Sequence, residues 1–469
     1  MSRTSLIFIW LAFAAWLTIL VAKSIPLPVA PGTDFWSLSA SEILAQAGYS
    51  DYGSYIKYAR ILASGALNSP HEDAWVTNIW PPAFPLVIAF LLKTAGEASY
   101  GFKLGILTVL AWATVLTHFL KNVPFLRSTW ARFLVLASVC ALPEFRQWSF
   151  GTGILMTESL SMALFVLAGA FFYKGISGDG RKAYLIGTLF LGLSANFKAL
   201  LDGVFGLLFL ALLGGLAFVA LLEHRIIPLW IEEAERPRFR ARLPDRIPAM
   251  KTVFLCFLVL GATTAPWKMR NFLHNGPYAM SPLGLDLNWE YQWSPTDKLA
   301  GFVHAGNTAC AVNPAPCPII YENRHAWGPK VLRSLVLGSL MANPSAWIRY
   351  RLERVNWLWV GVPWPKNFEE AKRTFFLYVE GFAYIAAAAF GLWLLLKHWR
   401  ARRARCLSTE DLERLGLLFA LFFGIHAASF LIFHFESRYS LFWRTSCFLF
   451  LAFVAARRAT QENERSVAT

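Results

Sequence analysis

The feature that most limits the fold of this chain is a succession of apolar runs, each near the length a helix needs to cross about 30 Å of hydrocarbon. They lie at 5–22, 102–120, 129–145, 153–173, 183–199, 202–223, 251–267, 376–397, 414–433 and 439–456. The residues are 56% hydrophobic and only 16% charged, too little polar surface for a soluble chain of 469 residues to cover itself. The expectation is an all-α polytopic membrane protein with about ten transmembrane helices. Lys and Arg number 44 against 29 Asp and Glu, a formal charge of +15. These cations gather at 121–132, 174–182, 225–251, 397–405 and 457–458, each beside an apolar run. That is the positive-inside pattern, not a basic domain with stacking aromatics, so no nucleic acid is expected as a partner.

An even number of spans puts both termini on one side, read as cytoplasmic because the basic loops lie there. The opposite face then receives 23–101, 268–375 and the short turn 434–438. The chain divides into 1–267, a transmembrane core that includes the first outer loop; 268–375, a small outer subdomain; and 376–469, further spans and a cytoplasmic tail. Residues 5–21 read as a retained first helix, because no small-x-small cleavage site precedes Lys23. Two stretches read as interfacial helices on the outer face. One is 80–92 (WPPAFPLVIAFLL), short and headed by prolines; the other is 343–360, where Trp347, Trp357 and Trp359 stand among Arg349, Arg351 and Arg354.

Of the 6 cysteines, Cys140, Cys256, Cys406 and Cys447 lie in or beside spans and read as packing thiols. Cys310 and Cys317 flank the polar segment CAVNPAPC in the outer loop, where a structural disulfide fits better than a metal site, which needs more ligands.

Ionisable groups at or near membrane depth carry the functional reading. Asp51 heads SDYGSYIKYARIL, where Tyr52, Tyr55, Tyr58 and Leu62 share one helical face; it is either a helix cap or a reactive carboxylate. Lys268 and Arg270 in APWKMRNF leave the seventh span as interfacial anchors or as a grip on phosphate. Glu158 in ILMTESL, one turn inside the fourth span, favours the helix dipole or faces a water-filled cavity. His71, Glu72 and Asp73 form a solvated turn or hold a divalent cation. In HFESRYSLFW, Glu436 and Arg438 pair internally, or Arg438, next to Tyr439, meets a lipid phosphate.

The order of these pieces is DYGSYIKYA, PPAFP, MTESL, APWKMRN followed by GPYAMSPLGLDLNW, and a late ESRYS. In that order the chain resembles the C-type glycosyltransferase (GT-C) superfamily, in particular bacterial proteins related to dolichyl-phosphate-mannose protein mannosyltransferases and lipid A aminoarabinosyltransferases. The resemblance covers nearly the whole chain. It implies a multi-pass enzyme of the bacterial inner membrane whose active site faces the periplasm. Its donor would be a polyprenyl-phosphate-linked sugar, taken from among the membrane lipids, and its acceptor a lipid, glycan or protein. The family's first-loop acid maps onto Asp51, its middle-helix acid onto Glu158, its PW-x-x-RN arginine onto Arg270, and its late RY onto Arg438 and Tyr439. Two places depart from the pattern: Tyr52 follows Asp51 where many relatives carry a second acid, and Ile79 and Trp80 precede the prolines where relatives often carry charges. These departures bear on a possible divalent cation and on the acceptor. The contrasting readings are a transporter or flippase of lipid-linked sugars, and a structural subunit for which Asp51 would be dispensable.

Overall fold

A computed structural model describes residues 2–24, 34–47, 51–66, 81–198, 200–221, 243–275, 356–360, 368–403, 419–428 and 440–468, with isolated positions from 341 to 348. The described regular elements are helical and include no strand. They are α1 (Arg3–Lys23), α2 (Ala40–Ala47), α3 (Asp51–Ala63), α4 (Ala83–Ala95), α5 (Tyr100–Asn122), α6 (Thr129–Ala141), α7 (Pro143–Phe150), α8 (Glu158–Lys174), α9 (Gly180–Phe197), α10 (Leu200–Leu221), α11 (Leu243–Asn275), α12 (Asn356–Trp359), α13 (Phe368–Arg403), α14 (Phe419–Ala428) and α15 (Leu441–Ala468).

Six helical stretches among the described residues are long and apolar enough to cross a membrane: Arg3–Lys23, Tyr100–Asn122, Glu158–Ser177, Leu201–Phe218, Ala249–Leu273 and Thr374–Lys397. With one face packed inward and side chains such as Phe8, Phe90, Leu134, Phe218 and Phe382 exposed, the chain has the form of a membrane-embedded protein. The apolar run at 129–145 is not one helix. Ser128 caps α6, its side chain accepting from the Ala131 N–H at 3.3 Å, but the helix closes after 13 residues, at Ala141. Pro143 then opens the short α7, because proline lacks the N–H that would continue α6 yet suits a first helical turn. A 3-10 turn at Thr152–Leu155 follows, and α8 begins only at Glu158, later than the run at 153–173 suggests. Gly153 makes this bend possible: a Cβ there would collide with the Trp148 carbonyl.

Packing fixes the direction of each helix. α1 and α5 run antiparallel, with Trp10 Nε1 donating to Thr114 Oγ1 at 3.2 Å and Gly105 against Val21. α8 and α9 are antiparallel, joined by Phe172 with Tyr184 at one end and Ser161 with Ser194 near the other. α9 and α11 are parallel, through Thr188 with Cys256 and Asn196 with Thr263. α13 and α15 are also parallel, through Tyr384 with Phe448 and Gly391 with Phe450. Phe453 of α15 packs on both Tyr173 and Phe119. Lys121, Lys174, Arg181, Lys397 and Arg457 therefore come to one end of the bundle, and α8 starts, α9 ends, α10 starts and α11 ends at the other.

α4 buries Phe84, Pro85, Ile88 and Ala89, leaving Leu86 and Phe90 exposed. Phe84 sits edge-on to Tyr55 of α3 with centroids 5.3 Å apart and reaches Phe197 of α9 at 6.4 Å, so the expected interfacial segment is a packed part of the bundle. Of the expected interfacial helix 343–360 only fragments are described, among them α12, whose Trp359 packs on Trp443. Cys140, Cys256 and Cys447 are buried free thiols. Cys310, Cys317 and Cys406 lie outside the described residues.

Candidate functional site

At the end of the bundle away from the basic loops, two ion pairs form where four helices begin or end. The Glu158 carboxylate, on the first residue of α8, is fully buried and takes the Lys198 ammonium at 2.5 Å, with the Thr157 hydroxyl donating to its second oxygen at 3.2 Å. The dipole reading of Glu158 holds, since an acid at the first turn meets the positive end of the helix. A carboxylate facing open water does not describe it; the partner is a lysine from the end of α9. Packing sets the geometry: Ser161 and Ser194 exchange hydroxyl-to-carbonyl hydrogen bonds at 3.0 and 2.8 Å, and buried Trp112 donates to the Ser159 hydroxyl at 3.2 Å.

Four residues after Lys198, Asp202 opens the second pair. It binds Lys268 of α11 and accepts from the Thr264 hydroxyl at 3.2 Å. The Asn196 amide holds α9 to α11 by donating to the Thr263 carbonyl at 2.9 Å. The Lys268 side chain keeps 27% of its surface exposed, whereas Glu158 keeps none. Arg270, two residues or about half a turn further along, donates from Nη1 to the Oδ1 of buried Asn271 at 2.8 Å.

Tyr58 brings α3 to this group. Its phenol lies within electrostatic reach of Arg270; burial raises the phenol above its ordinary pKa and the cation opposes that rise. Tyr55 and Tyr58 are buried and Tyr52 packs partly against the core, as the tyrosine-bearing face suggests. Asp51 is the first residue of α3 and half-buried. It shares a face with Tyr58 two turns away, about 10 Å along the axis at 1.5 Å per residue.

Glu158, Lys268 and Arg270 thus come to one end of the bundle, and α3 meets it through Tyr58, with Asp51 two turns away along the helix. His71, Glu72, Asp73, Arg438 and Tyr439 lie outside the described residues. Among the described residues no three His, Cys, Asp or Glu side chains converge as a metal site would require.

Sequence reasoning missed Lys198 and Asp202, although the signal was present. SANFKALLDG places opposite charges in the gap between two apolar runs, and charges in such a gap meet whatever else ends at that level. A second charged group was also missed. Glu380 of α13 accepts the backbone N–H groups of Glu144 and Phe145 at 2.7 and 3.1 Å and the Tyr384 hydroxyl at 2.5 Å. Arg444 of α15 pairs with Glu144 and donates from Nε to the Ser440 hydroxyl at 3.0 Å. Here a carboxylate satisfies the open N-terminus of α7, a group that side chains or water must otherwise serve. Chemically, the first group offers two lysines and an arginine, of which Lys268 keeps part of its side chain exposed; the second is closed on itself. No family model matches the chain, and no curated protein or solved structure matches it.

Proposed function

We propose that this protein is a membrane glycosyltransferase that moves a sugar from a polyprenyl-phosphate donor to a hydroxyl or amine of a lipid, glycan or protein. On this reading its bundle of about ten spans is of the GT-C kind, and its reacting end faces the outside of a bacterial cytoplasmic membrane. The observation that carries the reading is the gathering of Lys198, Asp202, Lys268 and Arg270 at the bundle end opposite the basic loops. Asp51 takes the acceptor's proton as the acceptor atom bonds to the anomeric carbon. The bond from that carbon to the phosphate oxygen breaks, and the departing polyprenyl phosphate keeps the electron pair. Arg270 stabilises it by planar, two-point hydrogen bonding and Lys268 by a compact charge. Asp202 holds Lys268 in place, and Glu158 acts through Lys198. Arg438 and Tyr439 complete the phosphate contacts, and Cys310 with Cys317 tie the outer subdomain.

One observation favours the transporter reading as an alternative. The chain between Leu142 and Glu158 is a half-helix and a 3-10 turn, and interrupted helices line many transport sites. The deciding measurement is transfer of radiolabelled sugar from a panel of polyprenyl-phosphate sugars to a membrane extract, by the full chain and its Asp51→Asn variant. Transfer that drops about 10²- to 10⁴-fold in a variant of unchanged melting temperature supports the enzyme. Equal transfer by both removes Asp51 from the chemistry. Donor movement across vesicle bilayers without any product favours the transporter.

A further inference from the structure

An apolar cavity lies away from the ion pairs just described. It has a volume of about 270 Å³ and runs between α5, α6, α13 and α15, lined by side chains such as Trp112, Phe119, Val135, Val139, Phe390 and Phe448. Thr445 is the one hydroxyl-bearing side chain in its wall. The cavity reaches from Thr445 to Ala455 along α15, ten residues or about 15 Å of helix. That shape and lining suit a single hydrocarbon chain. It opens on the lipid-facing surface beside Leu126, Val135 and Phe390, all exposed.

Cations stand near its basic-loop end, beside its wall rather than in it. Arg132 lies on α6 one turn before Val135 and Leu136, on the face that lines the cavity, and on the side of the basic loops. Although an arginine, it is only 8% exposed. Its Nη1 donates to the Leu120 carbonyl at 2.7 Å and its Nη2 to the Thr129 hydroxyl at 3.2 Å, while its Nε is buried with no hydrogen-bond partner among the described residues. A buried guanidinium N–H without an acceptor is costly, and an anionic oxygen is the acceptor it binds most strongly. Exposed Lys121 and Arg127 flank it in sequence and stand at the same end. Basic pockets between transmembrane helices on the positively charged side are the usual seats of anionic headgroups.

We propose that this cavity binds one acyl chain of an anionic phospholipid, whose phosphate accepts from Arg132 with Lys121 and Arg127 beside it. The occupant is a lipid of the leaflet at the basic end, distinct from a sugar donor gripped at the opposite end, so its failure would leave the transferase reading standing.

The test uses the full chain in nanodiscs and phosphatidylglycerol with a diazirine near the end of one acyl chain; a matched phosphatidylcholine serves as the neutral probe. After photolysis, label should concentrate in peptides covering 112–126, 132–145 and 445–455. The anionic probe should exceed the neutral one several-fold. Each of R132Q and R127Q should reduce that preference about fivefold, the effect of one cation near a lipid headgroup. Ala452→Phe, which fills the cavity, should remove label from both probes; R127Q, at an exposed position, guards against misfolding of R132Q. Equal labelling by the two probes, or label spread over the exposed faces of α1 and α11 without excess in the three segments, would overturn the proposal.

Discussion

The two buried charge clusters both pair carboxylates with cations and differ in what is left open. In the Glu144, Glu380 and Arg444 cluster the Arg444 side chain is fully buried, the Glu144 side chain 9% exposed and Glu380 1% exposed. Both backbone N–H groups at the start of α7 are taken up by Glu380. In the other cluster Glu158 and Lys198 are similarly closed, but Lys268 is partly exposed. A closed set of charges can only hold helices together; a set with one exposed cation can also receive a ligand. On the proposed reading, mechanical and chemical roles are separated between the α7, α13 and α15 contact and the α9, α10 and α11 ends.

Breaking the closed cluster is the largest expected effect. Arg444→Met leaves the Glu144 carboxylate buried and uncompensated, and should cost about 3–5 kcal/mol. Thermal unfolding in detergent measures this, and adding Glu144→Gln should return much of the loss. An unchanged melting temperature in the single variant would end the mechanical reading. At the open cluster, Lys268→Gln, whose amide can still donate to Asp202, should lower sugar transfer by about 10²- to 10³-fold, the size of one lost transition-state donor, with a smaller melting loss than Arg444→Met. A loss of stability matching that of Arg444→Met would erase the distinction. Between the two lies Ser161→Ala, which removes one of the reciprocal bonds joining α8 to α9 and should cost about 1 kcal/mol, read by the same melting assay.

The smallest effect concerns pH. Glu97 is held below its ordinary pKa, first by the Ser41 hydroxyl, which donates at 2.6 Å, and also by Arg60 at 2.8 Å. A carboxylate with a depressed folded pKa stabilises the fold above its unfolded value and loses that contribution as pH falls through the folded value. Both side chains are more than a third exposed, so the contribution is below about 1 kcal/mol after solvent screening. Melting followed from pH 7 to pH 3 should show a small acid-side loss that Glu97→Gln removes.

Much of the architecture was legible in the sequence. The apolar runs at 5–22, 102–120, 251–267 and 376–397, and the described part of the run at 202–223, lie in helices that meet the criterion for a span, because length and hydrophobicity are local properties. The break at Pro143 was misread as part of a span, since the residues on both sides are apolar and hydropathy is blind to a missing N–H. Among the site residues, Lys268 and Arg270 stood out because they follow an apolar run at once. Lys198 and Asp202 did not, because a short polar gap looks the same whether it faces water or another helix. Glu380 and Arg444 were the least visible, each being a single charge inside a long helix whose partner is more than 200 positions away for Glu380 and 300 for Arg444.

By itself the sequence determined that this chain must be helical and live in a bilayer, and it indicated which helix ends carry the basic loops. Both follow from composition and order along the chain, where the cost of burying backbone polar groups in hydrocarbon leaves few alternatives. Only the tertiary structure decided which charges meet: Glu158 with Lys198, Asp202 with Lys268, Glu144 with Arg444. A buried charge takes its partner from whichever helix packs beside it, and helix neighbours are set by side-chain packing between distant segments, which no local pattern encodes.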